Sequence, residues 1–270
     1  MFASRRFWWA AFLNILLATV IHCVKITKIT IPEYYVIEDS EKPDTLVLDC
    51  EYELQRSEEN GLVIKWTFEG EIIYQWIPHH KPHVLRAHMR DKVDATYEAS
   101  TKPFHQYRAL ALINPTWNST GTYSCLADTF ESTDRKSGFM QIIDKSKSSV
   151  EICRNVVNEV EEISCIASHV YPQPVLNLTL NDEPIPKKAD KVHLRADGLF
   201  DVTTVGATPL LDAETTGEIT CHVYFPKTNF TMEKILSLSD ADEVYKTSKL
   251  LMIFTIMFCL IFNDFRSKFV

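Results

Sequence analysis

Alternation of apolar and polar residues, with a period of two, runs through most of the chain between residues 25 and 225. Successive side chains of a strand point to opposite faces, so such alternation marks half-buried strands. Residues 25–36 carry Ile29 and Ile31 and then Tyr34 and Tyr35, and suit a first strand. Residues 45–52 place Leu46, Leu48 and Cys50 on one face. After a polar stretch at 54–61, Ile64, Trp66 and Phe68 form the inward face of a third strand, and Glu69-Gly70 signals a hairpin turn into a fourth at 72–77. Further strands are expected at 107–113, 123–127 and 138–143, with residues 84–99 left to hold two more and a polar loop at 128–137. A second set follows a short linker of Ser and Lys, at 161–167, 175–180, 198–205 and 218–225, with a strand or corner signal at 210–213. The pattern predicts an all-β chain.

The cysteines divide this series in two. The chain has seven. Cys50, Trp66, Gly121, Tyr123 and Cys125 stand in the order of an immunoglobulin sandwich. There, two cysteines bridge the sheets, a Trp packs on the bridge, and a Tyr two residues before the second Cys forms a corner. Cys165 and Cys221 repeat the frame with a shorter gap, leaving no room for the extra strands of a variable-type domain. The second frame has no Trp; Leu178 stands in its place, and Ile219 stands where the corner Tyr belongs. The fold expected is two tandem immunoglobulin-like sandwiches, variable-type over 25–144 and constant or intermediate-type over 150–238, with bridges Cys50–Cys125 and Cys165–Cys221. Cys153 is left over, either as a buried or capped thiol or as one half of an intermolecular disulfide.

Both ends of the chain read as processing signals. Arg5 and Arg6 precede an apolar run over 7–21, the order of a secretory leader, here taken as residues 1–24. Residues 250–262 form an apolar run of thirteen, short of the ~20 needed to span a bilayer. Small residues Ser239 and Ala241, then a polar spacer, precede it, as in a lipid-anchor (GPI) signal. Arg266 and Lys268 beyond it suit instead a short cytoplasmic tail. The lipid anchor is the favoured reading of residues 239–270 and a single-pass helix the alternative. Either way the chain is expected on the outer face of the plasma membrane, attached through its tail.

A run of residues resembles a known family. Ile64-Lys65-Trp66, Glu69-Gly70-Glu71 and Tyr74-Gln75-Trp76-Ile77-Pro78, followed by Pro82, resemble the first domain of insect Beaten-path-type proteins, and residues 119–125 look like their strand before the second bridge cysteine. Residues 126–130 depart from that family. Cys165-Ile166-Ala167-Ser168-His169-Val170-Tyr171-Pro172-Gln173-Pro174 is instead similar to the second domain of costimulatory and nectin-type ligands. Both resemblances imply cell-surface recognition, with adhesion or axon guidance as the setting and another immunoglobulin-superfamily protein as the partner. An innate-immune molecule binding microbial or soluble ligands is the alternative.

Charge and motifs narrow the chemistry. A net charge of −8 argues against a nucleic-acid binder. The chain has no phosphate-binding Gly-rich loop, no Gly-x-Ser-x-Gly elbow and no His-Glu-x-x-His, so neither catalysis nor a cofactor is expected. His79, His80, His83 and His88 match no metal-ligand spacing and read as a solvated loop; Glu58-Glu59 and Glu161-Glu162 read as solvated charges. Asn118, Asn177 and Asn229 begin glycosylation sequons. Tyr74 and Trp76, amphipathic aromatics on the 72–77 strand, are the candidate partner-binding residues; packing into their own sheet is the competing reading.

Overall fold

The computed structural model describes residues 23–158, 160–211 and 216–238. The expected leader, up to residue 22, and the expected anchor segment, from 239, lie outside the described residues. Among the described residues, no helix is long and apolar enough to cross a membrane.

The first sandwich packs a three-stranded sheet on a six-stranded one. The small sheet has the order β1 (Lys25–Thr30), β3 (Thr45–Glu53), β7 (Leu110–Ile113). The large sheet has the order β2 (Tyr34–Ile37), β9 (Thr133–Asp144), β8 (Gly121–Asp128), β4 (Val63–Phe68), β5 (Glu71–Trp76), β6 (His83–Val84). The single first strand expected at 25–36 is in fact two. Pro32 has no N–H to give a ladder, and the chain changes sheets around it: β1 pairs antiparallel with β3, β2 parallel with β9. The bridge Cys50–Cys125 joins β3 to β8 across a Cα–Cα distance of 6.3 Å. Trp66, on β4 directly opposite Cys125, is fully buried. The β4–β5 turn holds Glu69 and Gly70 both at positive φ, 49° and 83°, the geometry that matches strand twist in a two-residue hairpin.

The strand expected at 107–113 begins only at Leu110. No strand lies between β6 and β7 among the described residues. A 3-10 turn at Ala87–Lys92 is followed by an isolated bridge, Val93 to Leu112, and then an irregular segment at 94–108. That segment is fastened by the polar tips of buried aromatics. Tyr52 donates its hydroxyl to the Phe104 carbonyl, Tyr74 to that of Tyr107 at 2.9 Å, and Trp66 Nε1 to that of Arg108 at 2.9 Å. Arg108 closes the segment with two bonds to the Asp49 carboxylate, at 2.9 and 2.8 Å. Carbonyls taken by side chains are not offered to a strand partner, so β7 starts late.

The second sandwich has two four-stranded sheets. One has the order β10 (Ser149–Val157), β11 (Val160–Val170), β15 (Phe200–Pro209), β14 (Lys187–Leu194). The other has the order β13 (Glu183–Pro184), β12 (Val175–Leu180), β16 (Glu218–Tyr224), β17 (Thr231–Ser237). The expected bridge Cys165–Cys221 is present, and Leu178 lies directly opposite Cys221 in the core. Two features differ from expectation. The short gap still admits the two-residue β13, and β14, eight exposed residues without alternation, is an edge strand with one irregularity between Lys187 and Ala189. Cys153 lies on β10 opposite Ser164, in neither bridge.

Candidate recognition face of the first sandwich

Tyr74 and Trp76 are not on the surface. Each is 1% exposed. Tyr74 pairs directly with Trp66, and Trp76 with Ile64, so all four share the core face. The hydroxyl of Tyr74 is engaged by the Tyr107 carbonyl, and Trp76 Nε1 by the His80 carbonyl at 3.2 Å. Burial raises the Tyr74 hydroxyl above its ordinary pKa, with Tyr107 and Asp94 adding to the shift. The expectation that these two rings meet a partner is therefore corrected. The alternation hid this because β5 bulges: Trp66 pairs with Tyr74 but Thr67 with Ile72, leaving Ile73 extra. A bulge puts one additional residue between two ladder pairs, and Ile73 joins Tyr74 in the core while Ile72 turns outward.

The face that remains open is the outer side of the large sheet. Lys65 on β4 lies between Gln75 and Leu126, its direct neighbours on β5 and β8, and pairs with Asp128 at 2.8 Å. Ser124 accepts from Arg135 Nη2 and shares a 2.9 Å hydroxyl contact with Ser137. That fixes the outward set of β9 as Arg135, Ser137 and Phe139, and the Phe139 ring is half exposed. The face is mixed: a lysine, an arginine, hydroxyls, and the apolar Ile72, Leu126 and Phe139.

At one end of this face stands a turn that the polar loop expected at 128–137 concealed. The strands close much further than expected, so only residues 129–132 lie between β8 and β9. Thr129 N–H bonds the Ser132 carbonyl at 2.8 Å, and the Thr129 hydroxyl receives Ser132 N–H at 3.0 Å and Glu131 N–H at 3.3 Å. Phe130 occupies the tip and is 88% exposed. An exposed apolar side chain alone is ordinary; one held on a turn with this much hydrogen bonding is preorganised. Its ring lies over Gly61, where an added Cβ would come within 2.6 Å of Phe130 Cδ2 and 2.9 Å of its backbone nitrogen. Only a residue without a side chain lets the two loops approach so closely.

The turn is pinned from beneath by Glu58. This carboxylate, expected in solvent, is 2% exposed. Oε1 receives Ser132 Oγ at 2.7 Å, Val24 N–H at 3.1 Å and Thr129 Oγ1 at 3.2 Å, and Oε2 receives Gln55 N–H at 3.4 Å. Burial pushes its pKa up, but the bonds from Ser132, Gln55, Val24 and Thr129 outweigh that and hold it below the ordinary value. Four donors thus converge on one anion, three of them on Oε1. Sequence reasoning missed Phe130 and Glu58 because each sits in a run of polar neighbours.

The remaining candidates fall elsewhere. His79, His80, His83 and His88 are all exposed, with His83 on β6 and His88 in the 3-10 turn; no cluster able to hold a metal occurs among the described residues. Asn118 and Asn229 are exposed, and Asn177 is half-buried on β12 opposite His222. No sequon falls on β4, β5, β8 or β9. Glu161, the other acid expected in solvent, is buried and paired with Arg154, and accepts Leu211 N–H at 3.0 Å.

Comparison with known proteins agrees with this architecture. Residues 16–145 match the CD47 immunoglobulin-like domain family, a variable-set domain. Among solved structures, bovine butyrophilin superposes with a TM-score of 0.56 at 14% identity, over 76% of this chain and 94% of that one, a likeness of fold. No curated protein sequence matches the chain. The chain is thus built of two tandem immunoglobulin-like sandwiches, each with its own bridge, the first of them matching a variable-set domain family.

Proposed function

We propose that the chain is a cell-surface recognition protein whose first sandwich binds another immunoglobulin-superfamily protein, with the Phe130 turn and the outer face of the large sheet as the contact. The single observation that carries this is Phe130, 88% exposed on a turn fixed by the buried Glu58. A rigid aromatic tip gives up little conformational freedom on binding, and aromatic anchors carry a large share of interface energy. The absence of sequons from β4, β5, β8 and β9 supports the reading, since no glycan is then attached to these strands. The resemblance to Beaten-path-type proteins supports adhesion or axon guidance as the setting. The second sandwich is a spacer, and the tail holds the chain to the outer membrane through a lipid anchor.

The test displays the full chain on cells and probes it with multivalent ectodomains of cell-surface immunoglobulin-superfamily proteins. Phe130→Ala is expected to weaken capture about 30-fold, the effect of losing one hot-spot residue. Capture unchanged by both Phe130→Ala and Phe139→Ala defeats the choice of face. Release of the chain by a phosphatidylinositol-cleaving phospholipase supports the lipid anchor; retention, with Val270 reached by antibody only after permeabilisation, supports a spanning helix.

A further inference from the structure

The environment of Glu58 points beyond recognition, to how the chain is processed. Its carboxylate is buried among neutral donors, and no cationic side chain pairs with it among the described residues. A buried anion is costly without a countercharge. The donor best placed to supply one is the nitrogen of Val24. Val24 was expected to be the last residue of the leader, yet it is 2% exposed and built into the sandwich. Its one amide hydrogen serves two acceptors, Glu58 Oε1 at 3.1 Å and Ser132 Oγ at 3.0 Å. Two residues on, Ile26 N–H bonds Asp134 Oδ2 at 2.7 Å, so this end of β1 is fastened to both β9 and the loop before β4. Cys23, by contrast, is exposed and in neither bridge among the described residues.

We propose that the chain is cut between Cys23 and Val24, and that the α-ammonium created on Val24 is the countercharge of Glu58. The inference rests on the reading that the chain is exported. Water, delivered by a leader-removing peptidase, adds across the Cys23–Val24 peptide bond. The carbonyl carbon of Cys23 takes the hydroxyl and becomes a carboxylate; the nitrogen of Val24 keeps its hydrogen, gains a second, and binds a proton at neutral pH. The new terminus has three N–H bonds in place of one. Glu58 Oε1 and Ser132 Oγ each then receive their own, and the pair with Glu58 becomes charge-assisted. The Val24 side chain, already in the core, keeps the ammonium from swinging into solvent. Cys23, directly ahead of the cut, is small and lies just beyond the apolar run at 7–21, where a leader is removed. Processing thereby adds a charged tie to the turn that carries Phe130.

Two measurements test this. The full chain is expressed in secretory cells, extracted, labelled at free amines before digestion, and its first peptide read by mass spectrometry. A labelled peptide beginning Val24-Lys25 is expected; any other first residue overturns the cut site. A chain still beginning at Met1 and carrying no glycan at Asn118, Asn177 or Asn229 overturns the exported reading as well, which separates the two failures. The second measurement inserts one Ala between Cys23 and Val24, so that the mature chain begins one residue early. The expected result is a melting temperature of the first sandwich about 5 °C lower, with no such drop when the insertion is made in Glu58→Gln. Equal melting temperatures with and without the insertion, or the same drop in the Glu58→Gln background, overturn the ion pair.

Discussion

Trp66 and Leu178 hold corresponding places in the two sandwiches. Each lies on the strand directly opposite the second cysteine of its bridge. The difference between them follows from what closes the edge of each core. In the second sandwich an edge strand, β14, pairs with β15 from Lys187 to Leu194, with one irregularity between Lys187 and Ala189. In the first sandwich the comparable space is crossed by the irregular segment 94–108, whose carbonyls need donors from elsewhere. Trp66, Tyr74 and Tyr52 each supply one while filling the core. The aromatic residues of the first sandwich are thus both packing and fasteners, and those of the second are spared that role.

The largest expected effects come from the bridges, and they set a baseline for the comparison. Loop entropy alone assigns about 4.5 kcal/mol to a bridge of separation 75 and about 4 kcal/mol to one of separation 56. Replacing each pair with Ala and following denaturant unfolding should therefore cost the two sandwiches nearly the same. A loss in the first exceeding that in the second by more than about 1 kcal/mol would measure the packing of Trp66 on its bridge.

Exchanging the two core residues breaks the comparison directly. Trp66→Leu is expected to destabilise the first sandwich by about 3 kcal/mol, since it opens a cavity and leaves the Arg108 carbonyl without its donor. The reverse change, Leu178→Trp, is expected to cost about 2 kcal/mol by overpacking. If Trp66→Leu costs under about 1 kcal/mol, the segment at 94–108 does not depend on its fastener.

A finer change separates fastening from recognition. Tyr74→Phe keeps the ring and removes only the hydroxyl bonded to the Tyr107 carbonyl. It is expected to cost about 1 kcal/mol and to speed amide exchange in residues 94–108, with partner capture unchanged. Phe130→Ala should do the opposite, leaving stability within about 0.5 kcal/mol while capture falls. Loss of capture on Tyr74→Phe would instead tie the partner site to the core aromatics.

These pairs also show what could be read from the chain before its structure. Cys50, Trp66, Tyr123 and Cys125 are tied to one another by a fixed three-dimensional frame, so their spacing carries the fold. The strands at Thr45–Glu53, Val63–Phe68 and Val175–Leu180 alternate cleanly for the same reason. What was hidden depends on events that leave no periodic trace. A single extra residue, Ile73, puts Ile72 on the face opposite Tyr74 and Trp76, which lie in the core. The strand Lys187–Leu194 is exposed at all eight positions, so it shows no alternation to detect. Phe130 and Glu58 acquire their roles only when two loops distant in sequence meet over Gly61. Recognition was expected on the hairpin of β4 and β5; the exposed aromatic is on the turn between β8 and β9.

The smallest expected effect concerns Glu58 and acid. Its pKa in the folded chain lies below its ordinary value, because hydrogen bonds to the anion outweigh burial. A carboxylate depressed on folding stabilises the native state fully above its unfolded value, near pH 4.3–4.5, and loses that contribution as pH falls through the lower folded value. Unfolding followed from pH 7 to pH 3 should therefore show the first sandwich weakening below about pH 4.5. Glu58→Gln should flatten that part of the profile, at the expense of some stability at pH 7, and leave the transition of the second sandwich where it was. An acid limb of the first sandwich that is unchanged in Glu58→Gln would assign its acid sensitivity to other carboxylates, and Glu58 would then hold the turn through hydrogen bonds that do not depend on its charge.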